Sequence, residues 1–144
     1  MKLYTIGFTK KSAEVFFGSL KKAGVKRVID VRLHNESQLA GFTKRRDLEY
    51  FLRSCHGIDY VHEPLLAPTD EMLSSYRKKQ MSWMEYEAGF NVLLRQREVL
   101  DRVEPSLLED ACLLCSEARP EKCHRRLVAE YFGHLISELE VVHL

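Results

Sequence analysis

The chain has 144 residues, of which 45% are hydrophobic and 30% charged, and its formal net charge is +1. This length and balance are those of one globular domain, here residues 1–144, and they exclude fibrous and disordered classes. The near-neutral charge excludes a basic field over the whole surface, so a nucleic-acid-binding surface would have to be a local patch.

The amino terminus and the cysteine content indicate a compartment. The first residues, MKLYTIGFTKK, are too short and polar for a secretory signal, and no apolar run approaches the ~20 residues of a membrane span. We therefore expect a cytoplasmic protein with no membrane partner. Thiols stay reduced in the cytoplasm, so the four cysteines are expected to be core residues, ligands or reactive groups rather than disulfides.

The first half of the chain alternates short strands with helices. LYTI (3–6) predicts a strand, and a helix follows over 12–23, with a serine at its N-cap and a glycine just after its end. VKRVIDV (25–31) predicts a second strand and is followed by a polar loop. A helix is expected over about 44–55, and IDYVH (58–62) alternates like a third strand.

The second half repeats the alternation. A short helix is expected over about 69–78, and a Ser-x-x-Glu capping box predicts a long helix over about 82–102. ACLLCS (111–116) is almost continuously apolar, as a strand buried on both faces would be. A helix over about 122–138 and a last strand at 140–144 complete the series.

Strands that alternate with helices predict βαβ units and a mainly parallel sheet. The expected fold is therefore α/β, a three-layer Rossmann-like domain with about five strands. Ligands of such sheets bind beyond the carboxyl ends of the strands. The residues expected at that edge include Gly7, Thr9, Asp30, Arg32, His62, Glu63, Cys115 and Glu117.

The segment ACLLCSEARPEKCHRRLVAEY (111–131) contains three of the four cysteines. Cys112 and Cys115 have the C-x-x-C spacing of zinc ligands, but both belong to a predicted strand, where residues three apart point to opposite faces. We therefore expect Cys112 in the core and assign no metal site from this pair. Cys115 and Cys123 lie at the two ends of one loop, so they are expected to meet as a nucleophile, a redox pair or part of a mixed Cys/His site.

Bases crowd the predicted helix start that follows Cys123. His124 and Arg125 stand where the helix dipole disfavours positive charge, and this conflict is resolved if an anion binds the free N–H groups and the side chains. Successive helix residues diverge by ~100°, so Arg125 and Arg126 are not both expected to face a ligand. We expect Arg125, His124 and Arg32 to bind an anion, together with Gly7 and Thr9.

Four stretches of the chain resemble one family: YTIGFT (4–9), DVRLHNESQLAGFTK (30–44), YVHEPLLAP (60–68) and CSEARPEKCHRRLVAEY (115–131). They are similar to the bacterial and archaeal family called domain of unknown function 488. The resemblance implies a compact three-layer α/β domain and supplies no reaction. The family often has Gly-His-Ser after the first strand and Leu-Gly-Gly after the third, where this chain has Gly-Phe-Thr (7–9) and Leu-Leu-Ala-Pro (65–68).

The leading hypothesis is an enzyme that acts on a phosphate-bearing substrate, a nucleotide or nucleic acid, at the carboxyl edge of the sheet. Its acid/base candidates are His62, Glu117 and Asp30, and its thiol candidates are Cys115 and Cys123. One alternative is a Cys/His protein that binds a metal or haem iron without turnover. Another is a non-catalytic nucleic-acid-binding module that uses the basic runs 44–46 and 77–79. No cofactor follows from the sequence.

Overall fold

In a computed structural model, which describes residues 1–36 and 41–144, five strands form one parallel sheet. Their order across the sheet is β3-β2-β4-β1-β5. The strands are β1 (Lys2–Gly7), β2 (Arg27–Asp30), β3 (Asp59–His62), β4 (Ala111–Cys115) and β5 (Glu140–His143). All neighbouring pairs are parallel, so the predicted α/β class and parallel sheet are confirmed.

Within these described residues, six α-helices connect the strands: α1 (Ala13–Ala23), α2 (Arg45–Tyr50), α3 (Asp70–Arg77), α4 (Trp83–Gln96), α5 (Val99–Arg102) and α6 (His124–Leu135). The predicted caps are confirmed at three starts. Ser12, Thr69 and Ser82 each accept a hydrogen bond from a backbone N–H of the first turn, and Ser82 forms the reciprocal capping box with Glu85.

The long helix predicted over 82–102 is wrong in one respect, because it is broken near its end. α4 stops at Gln96, and Glu98 takes a left-handed conformation with φ of 51° before α5 begins. The Arg97 side chain donates hydrogen bonds to the carbonyl oxygens of Leu65 and Ala67, at 2.7 and 2.6 Å. These contacts, between residues distant in the chain, lie where the helix ends, and no sequence pattern near Arg97 predicts them.

The sheet is covered on both faces. One face packs against α4 and α6 through residues such as Phe90, Leu127 and Phe132, and the other packs against α1 and α2 through Phe16 and Leu48. Along β4, Ala111, Leu113 and Cys115 belong to the first cluster, whereas Cys112 and Leu114 belong to the second. The prediction that Cys112 and Cys115 point to opposite faces is thus confirmed, and Cys112 is a core residue.

The centre of the sheet determines what the carboxyl edge brings together. β4 lies between β1 and β2, in a register that places Gly7 beside Cys115 and Asp30 beside Leu114. The segments that follow these three strands are therefore neighbours at one edge. In the described part of the chain, no helix has the length and apolar character to cross a membrane.

Candidate functional site

A cavity of about 300 Å³ lies at the carboxyl edge, between the ends of β2 and β4 on one side and α3, α4 and the start of α6 on the other. Cys115, Cys123, His124, Arg32 and Glu117 all line it. These five residues were expected at the site from the sequence. The edge predicted for ligand binding and the cavity coincide.

Two thiols and an imidazole form one wall of the cavity, and local structure explains why they meet. Cys115 is the last residue of β4, Cys123 is the N-cap of α6, and His124 is the first residue of that helix. The ligand atoms of the three side chains all lie within 4.8 Å of one another. All three residues are buried, so this Cys–His cluster (Cys115, Cys123 and His124) is a preformed feature of the loop that joins β4 to α6.

Hydrogen bonds and charge shift the proton affinities within the Cys–His cluster. A hydrogen bond from the Cys123 thiol, aided by the charge of His124, holds the pKa of Cys115 well below its ordinary value although burial opposes this. The same hydrogen bond, with burial, raises the pKa of Cys123 well above its ordinary value. Burial would lower the pKa of His124, but the negative charge of Cys115 raises it.

The imidazole of His124 is held from its other side. Its Nε2 lies 2.7 Å from the carbonyl oxygen of Val31, and its Nδ1 lies 3.6 Å from Sγ of Cys115. A carbonyl oxygen only accepts hydrogen bonds, so Nε2 carries a proton and donates it to Val31. This long-range bond fixes the ring beside the thiol, whose Sγ lies 3.6 Å from Nδ1 and 3.8 Å from Nε2.

Arg32 is a buried cation whose position is set by a buried acid. Its Nε and Nη2 donate to the two carboxylate oxygens of Asp30 at 2.9 and 2.8 Å, and Nη2 also donates to the carbonyl oxygen of Thr43. The remaining nitrogen, Nη1, is the only buried side-chain nitrogen or oxygen among the described residues that lacks a hydrogen-bond partner. Arg32 therefore lines the cavity and retains one donor that no described residue satisfies.

Asp30 and His62, two of the acid/base candidates, do not line the cavity and instead hold Arg32. Asp30 is fully buried, and its carboxylate also accepts hydrogen bonds from the Tyr60 hydroxyl and the Asn35 amide. Burial alone would raise the pKa of Asp30, but the hydrogen bonds and charge of Arg32 hold it below its ordinary value. His62 donates from Nε2 to the backbone carbonyl oxygen of Arg32 at 2.7 Å.

Three residues predicted to bind substrate instead fix the loop after β4. The Arg125 side chain is fully buried and donates to the carbonyl oxygens of Glu117 and Ala118. The Thr9 hydroxyl donates to the carbonyl oxygen of Ser116 at 2.6 Å. At Gly7, a Cβ atom would lie 1.6 Å from the carbonyl oxygen of Glu117, so the close approach of the loop requires glycine there. None of the three lines the cavity.

Aromatic residues that sequence reasoning did not place at the site also line the cavity. Tyr76, Trp83 and Tyr86 form an aromatic wall, in which Trp83 stacks on Tyr86 with ring centroids 5.2 Å apart. Arg77 and Lys122 are exposed bases at the rim. The Ser82 capping box marked the start of α4, but no pattern indicated that this helix crosses the site.

The two basic runs suggested for nucleic acid do not line one groove in the described residues. Arg77, from the run 77–79, lies at the cavity. The run 44–46 lines a different depression, together with Glu36, Asp47 and Glu49. Three acids therefore accompany the three bases there, and positive charge is not concentrated at that surface.

Comparison with known proteins supplies a family. The family described as "Domain of unknown function DUF488" matches residues 12–132, most of the chain. No match was found among curated proteins, and none among solved structures. The chain belongs to this family, as its sequence motifs indicated.

Proposed function

We propose that this member of the family is an enzyme that acts on a phosphate-bearing substrate, a nucleotide, in the cavity at the carboxyl edge of the sheet. The observation that carries the proposal is the unpartnered Nη1 of Arg32. An unsatisfied buried donor costs about 1–3 kcal/mol, and more when it is charged. A phosphate oxygen within reach of Nη1 would remove that cost.

The arginine is well suited to this task because Asp30 holds two of its three nitrogens. A guanidinium that is already oriented loses little side-chain entropy when it binds an anion, and its planar donors match phosphate oxygens. Asp30 neutralises the charge of Arg32, so the rim must supply further positive charge. Lys122 and Arg77 supply positive charge there, and Glu117, which also lines the cavity, contributes negative charge.

The aromatic wall favours a nucleotide over a small inorganic anion. Tyr76 and Trp83 are half-buried and line the same cavity as Arg32. Base–aromatic stacking contributes about 1–3 kcal/mol per base in single-strand-binding proteins, and it is tolerant of sequence. A cavity of about 300 Å³ is at the lower end of ligand-pocket sizes and is suited to a single nucleotide.

Turnover is supported by what lies beside the anion site. The thiols of Cys115 and Cys123 and the imidazole of His124 line the same cavity. Thiols are strong nucleophiles and histidine is the most frequent proton-transfer residue, and a protein that only stores a nucleotide has no need of them. Glu117 is the one acid/base candidate from the sequence that lines the cavity.

The binding step is tested through Trp83, the single tryptophan of the chain. Adenosine monophosphate is expected to change the Trp83 fluorescence, and adenosine is expected to bind more weakly because it lacks the phosphate. Arg32→Lys keeps a cation beside Asp30 but removes the Nη1 donor, and it should weaken the nucleotide at least ~10-fold, or ~1.4 kcal/mol. Equal affinity for nucleotide and nucleoside would refute the anion site.

Arg27→Lys is the matched control. Arg27 also pairs with an aspartate, Asp59, but it lies at the amino end of β2, whereas Arg32 follows the carboxyl end of that strand. This variant should bind like the unaltered protein. For turnover, a panel of nucleotides is incubated with the protein and separated by chromatography. Conversion of one of them is expected, with loss of product in Cys115→Ser. Full recovery of every nucleotide would contradict the enzymatic part of the proposal.

A further inference from the structure

The Cys–His cluster has a chemical composition that anion binding does not explain. Two thiols and one imidazole are buried side by side, with relative exposures of 4% for Cys115, 3% for Cys123 and 7% for His124. Thiolate and imidazole are the ligands that zinc prefers in proteins. The remaining cysteines do not join them, since Cys112 points to the other face of the sheet and Cys55 is exposed.

The spacing of the three side chains fits a single ion. In a tetrahedral zinc site, with Zn–S of about 2.3 Å and Zn–N of about 2.0–2.1 Å, a sulfur and a nitrogen ligand are about 3.6 Å apart. Sγ of Cys115 and Nδ1 of His124 are 3.6 Å apart, and all three ligand atoms lie within 4.8 Å of one another. No large backbone movement is needed to bring them onto one ion.

The surroundings of His124 are those of a metal ligand. Metal-binding histidines almost always donate their second ring N–H to a carboxylate or a carbonyl, which fixes the tautomer and the ring. His124 makes this bond from Nε2 to the Val31 carbonyl oxygen at 2.7 Å, and Nδ1 is the nitrogen nearer the sulfur of Cys115. Val31 directly follows β2, and β2 pairs with β4. The strand pairing therefore places the Val31 carbonyl oxygen close to the start of α6, where it accepts the bond from His124.

We propose that Cys115, Cys123 and His124 bind one zinc ion whose fourth coordination position opens into the cavity beside Arg32. Three protein ligands with one open position are typical of catalytic zinc, whereas structural zinc has four protein ligands. In the described part of the chain, no fourth Cys, His, Asp or Glu belongs to the group. Two thiolates balance the charge of the ion, so the adjacent guanidinium of Arg32 meets no net positive charge.

This inference does not depend on the substrate proposed above. Metal binding would stand if no nucleotide bound the cavity, and the anion site of Arg32 would stand if no metal bound. If both hold, the two thiolates and the imidazole would act as zinc ligands rather than as a nucleophile and a proton-transfer group, and the ion would lie next to the bound phosphate, where a zinc ion can polarise an oxygen atom.

The test is elemental analysis of the untagged full chain, purified without chelator and kept reduced with a non-thiol reductant. About one equivalent of zinc per chain is expected, either as purified or after zinc is added and the excess removed. Replacement by Co²⁺ should give the visible absorption of a tetrahedral ion together with a thiolate-to-cobalt charge-transfer band. Both measurements use the unaltered protein, so they do not depend on whether a variant folds.

Variants then assign the ligands. Cys115→Ser, Cys123→Ser and His124→Asn should each lose the bound zinc, whereas Cys55→Ser and Cys112→Ala should retain it. Cys112→Ala is the matched control because that thiol is also buried and lies in the same strand as Cys115. A reduced protein that takes up no zinc, or zinc that persists in all three ligand variants, would overturn the proposal.

Discussion

Arg32 and Arg125 are two buried arginines at the same edge of the sheet, and their partners differ. Arg32 faces a carboxylate, that of Asp30, and one of its nitrogens has no partner among the described residues. Arg125 forms no ion pair within that part of the chain, and it donates to the carbonyl oxygens of Glu117 and Ala118 and to the Thr5 hydroxyl. The first arginine borders the cavity, and the second lies behind the loop that follows β4.

The difference separates a guanidinium that has a donor unused by the described residues from one whose nitrogens all have hydrogen-bond partners. A carboxylate that pairs with a guanidinium binds the N–H groups on one edge and leaves others unbound. In Arg32, Nε and Nη2 bind Asp30 and Nη1 has no partner in the described part of the chain. Loop carbonyls surround a guanidinium and occupy it, as with Arg125, whose side chain is fully buried. A buried arginine at a sheet edge is therefore not by itself evidence for an anion site. Its hydrogen-bond partners determine whether it has a donor left for an anion.

The largest expected effect is a loss of stability when Arg32 is replaced. Arg32→Met removes the cation and leaves Asp30 as a buried charge whose remaining side-chain partners among the described residues, Tyr60 and Asn35, are neutral. Breaking a buried pair in this way costs about 3–5 kcal/mol. We expect a decrease of that size in the free energy of unfolding, measured by urea denaturation.

Two comparisons check the cause. The double variant Asp30→Asn/Arg32→Met removes both charges and should recover part of the loss. Arg53→Met breaks ion pairs that are half exposed to solvent, and it should cost less than about 1 kcal/mol. If the double variant is no more stable than Arg32→Met, the buried charge of Asp30 is not the reason for the loss.

The second effect is a loss of stability when Gly7 is replaced, because Gly7 contacts the loop that Arg125 holds. In Gly7→Ala the new Cβ would lie 1.6 Å from the carbonyl oxygen of Glu117 and 2.8 Å from Nη1 of Arg125. The loop has to move away, and its contacts with Arg125 are then weakened. Overpacking costs about 1–3 kcal/mol, and we expect about 3 kcal/mol here because the obstacle is backbone. The free energy of unfolding should fall by that amount.

Gly18→Ala is the control for this substitution. Gly18 lies within α1, and nothing surrounds the position where its Cβ would be. Alanine is favoured over glycine in a helix by about 0.5–1 kcal/mol, so this variant should be more stable than the unaltered protein. Similar losses in both glycine variants would show that steric contact with the loop is not what makes Gly7 necessary.

Much of the fold follows from local signals. Ser12, Thr69 and Ser82 marked three helix starts, and the apolar run in β4 predicted a strand buried on both faces. The strand-end rule then brought Arg32, Cys115 and Glu117 to one edge, because it depends only on strands being parallel. These features are local in the chain, or follow from the topology alone.

The rest of the site depends on contacts between residues that are distant in the chain. Trp83 and Tyr76 reach the cavity because α3 and α4 pack across it, and a capping box says nothing about where a helix will lie. The roles of Arg125 and His62 depend on carbonyl oxygens at Glu117 and Arg32, and every residue has such an oxygen. The sequence could indicate that these residues are polar and close to the edge, but not which group each would meet.

The smallest of the expected effects is a dependence of stability on pH. It arises from Asp30, the carboxylate that pairs with Arg32, and Arg125 has no such partner among the described residues. The pKa of Asp30 in the folded protein lies below 3.8, its ordinary value, because Arg32 and Tyr60 outweigh the effect of burial. Above that value the carboxylate is ionised in both the folded and the unfolded chain, so its contribution to stability is complete. As the pH falls below it, the unfolded chain takes up the proton first, and stability is lost until the folded pKa has been passed.

Asp30→Asn should therefore flatten the acid limb of the stability curve, measured as the urea midpoint at a series of pH values below 4. Asp101→Asn, a change at an exposed residue, is the control and should leave that limb as steep as in the unaltered protein. Gly7→Ala acts through a steric contact, and it should lower the whole curve without changing its slope. If Asp30→Asn leaves the slope unchanged, the carboxylate is not ionised against Arg32 in the folded protein, and the orientation of the guanidinium needs another cause.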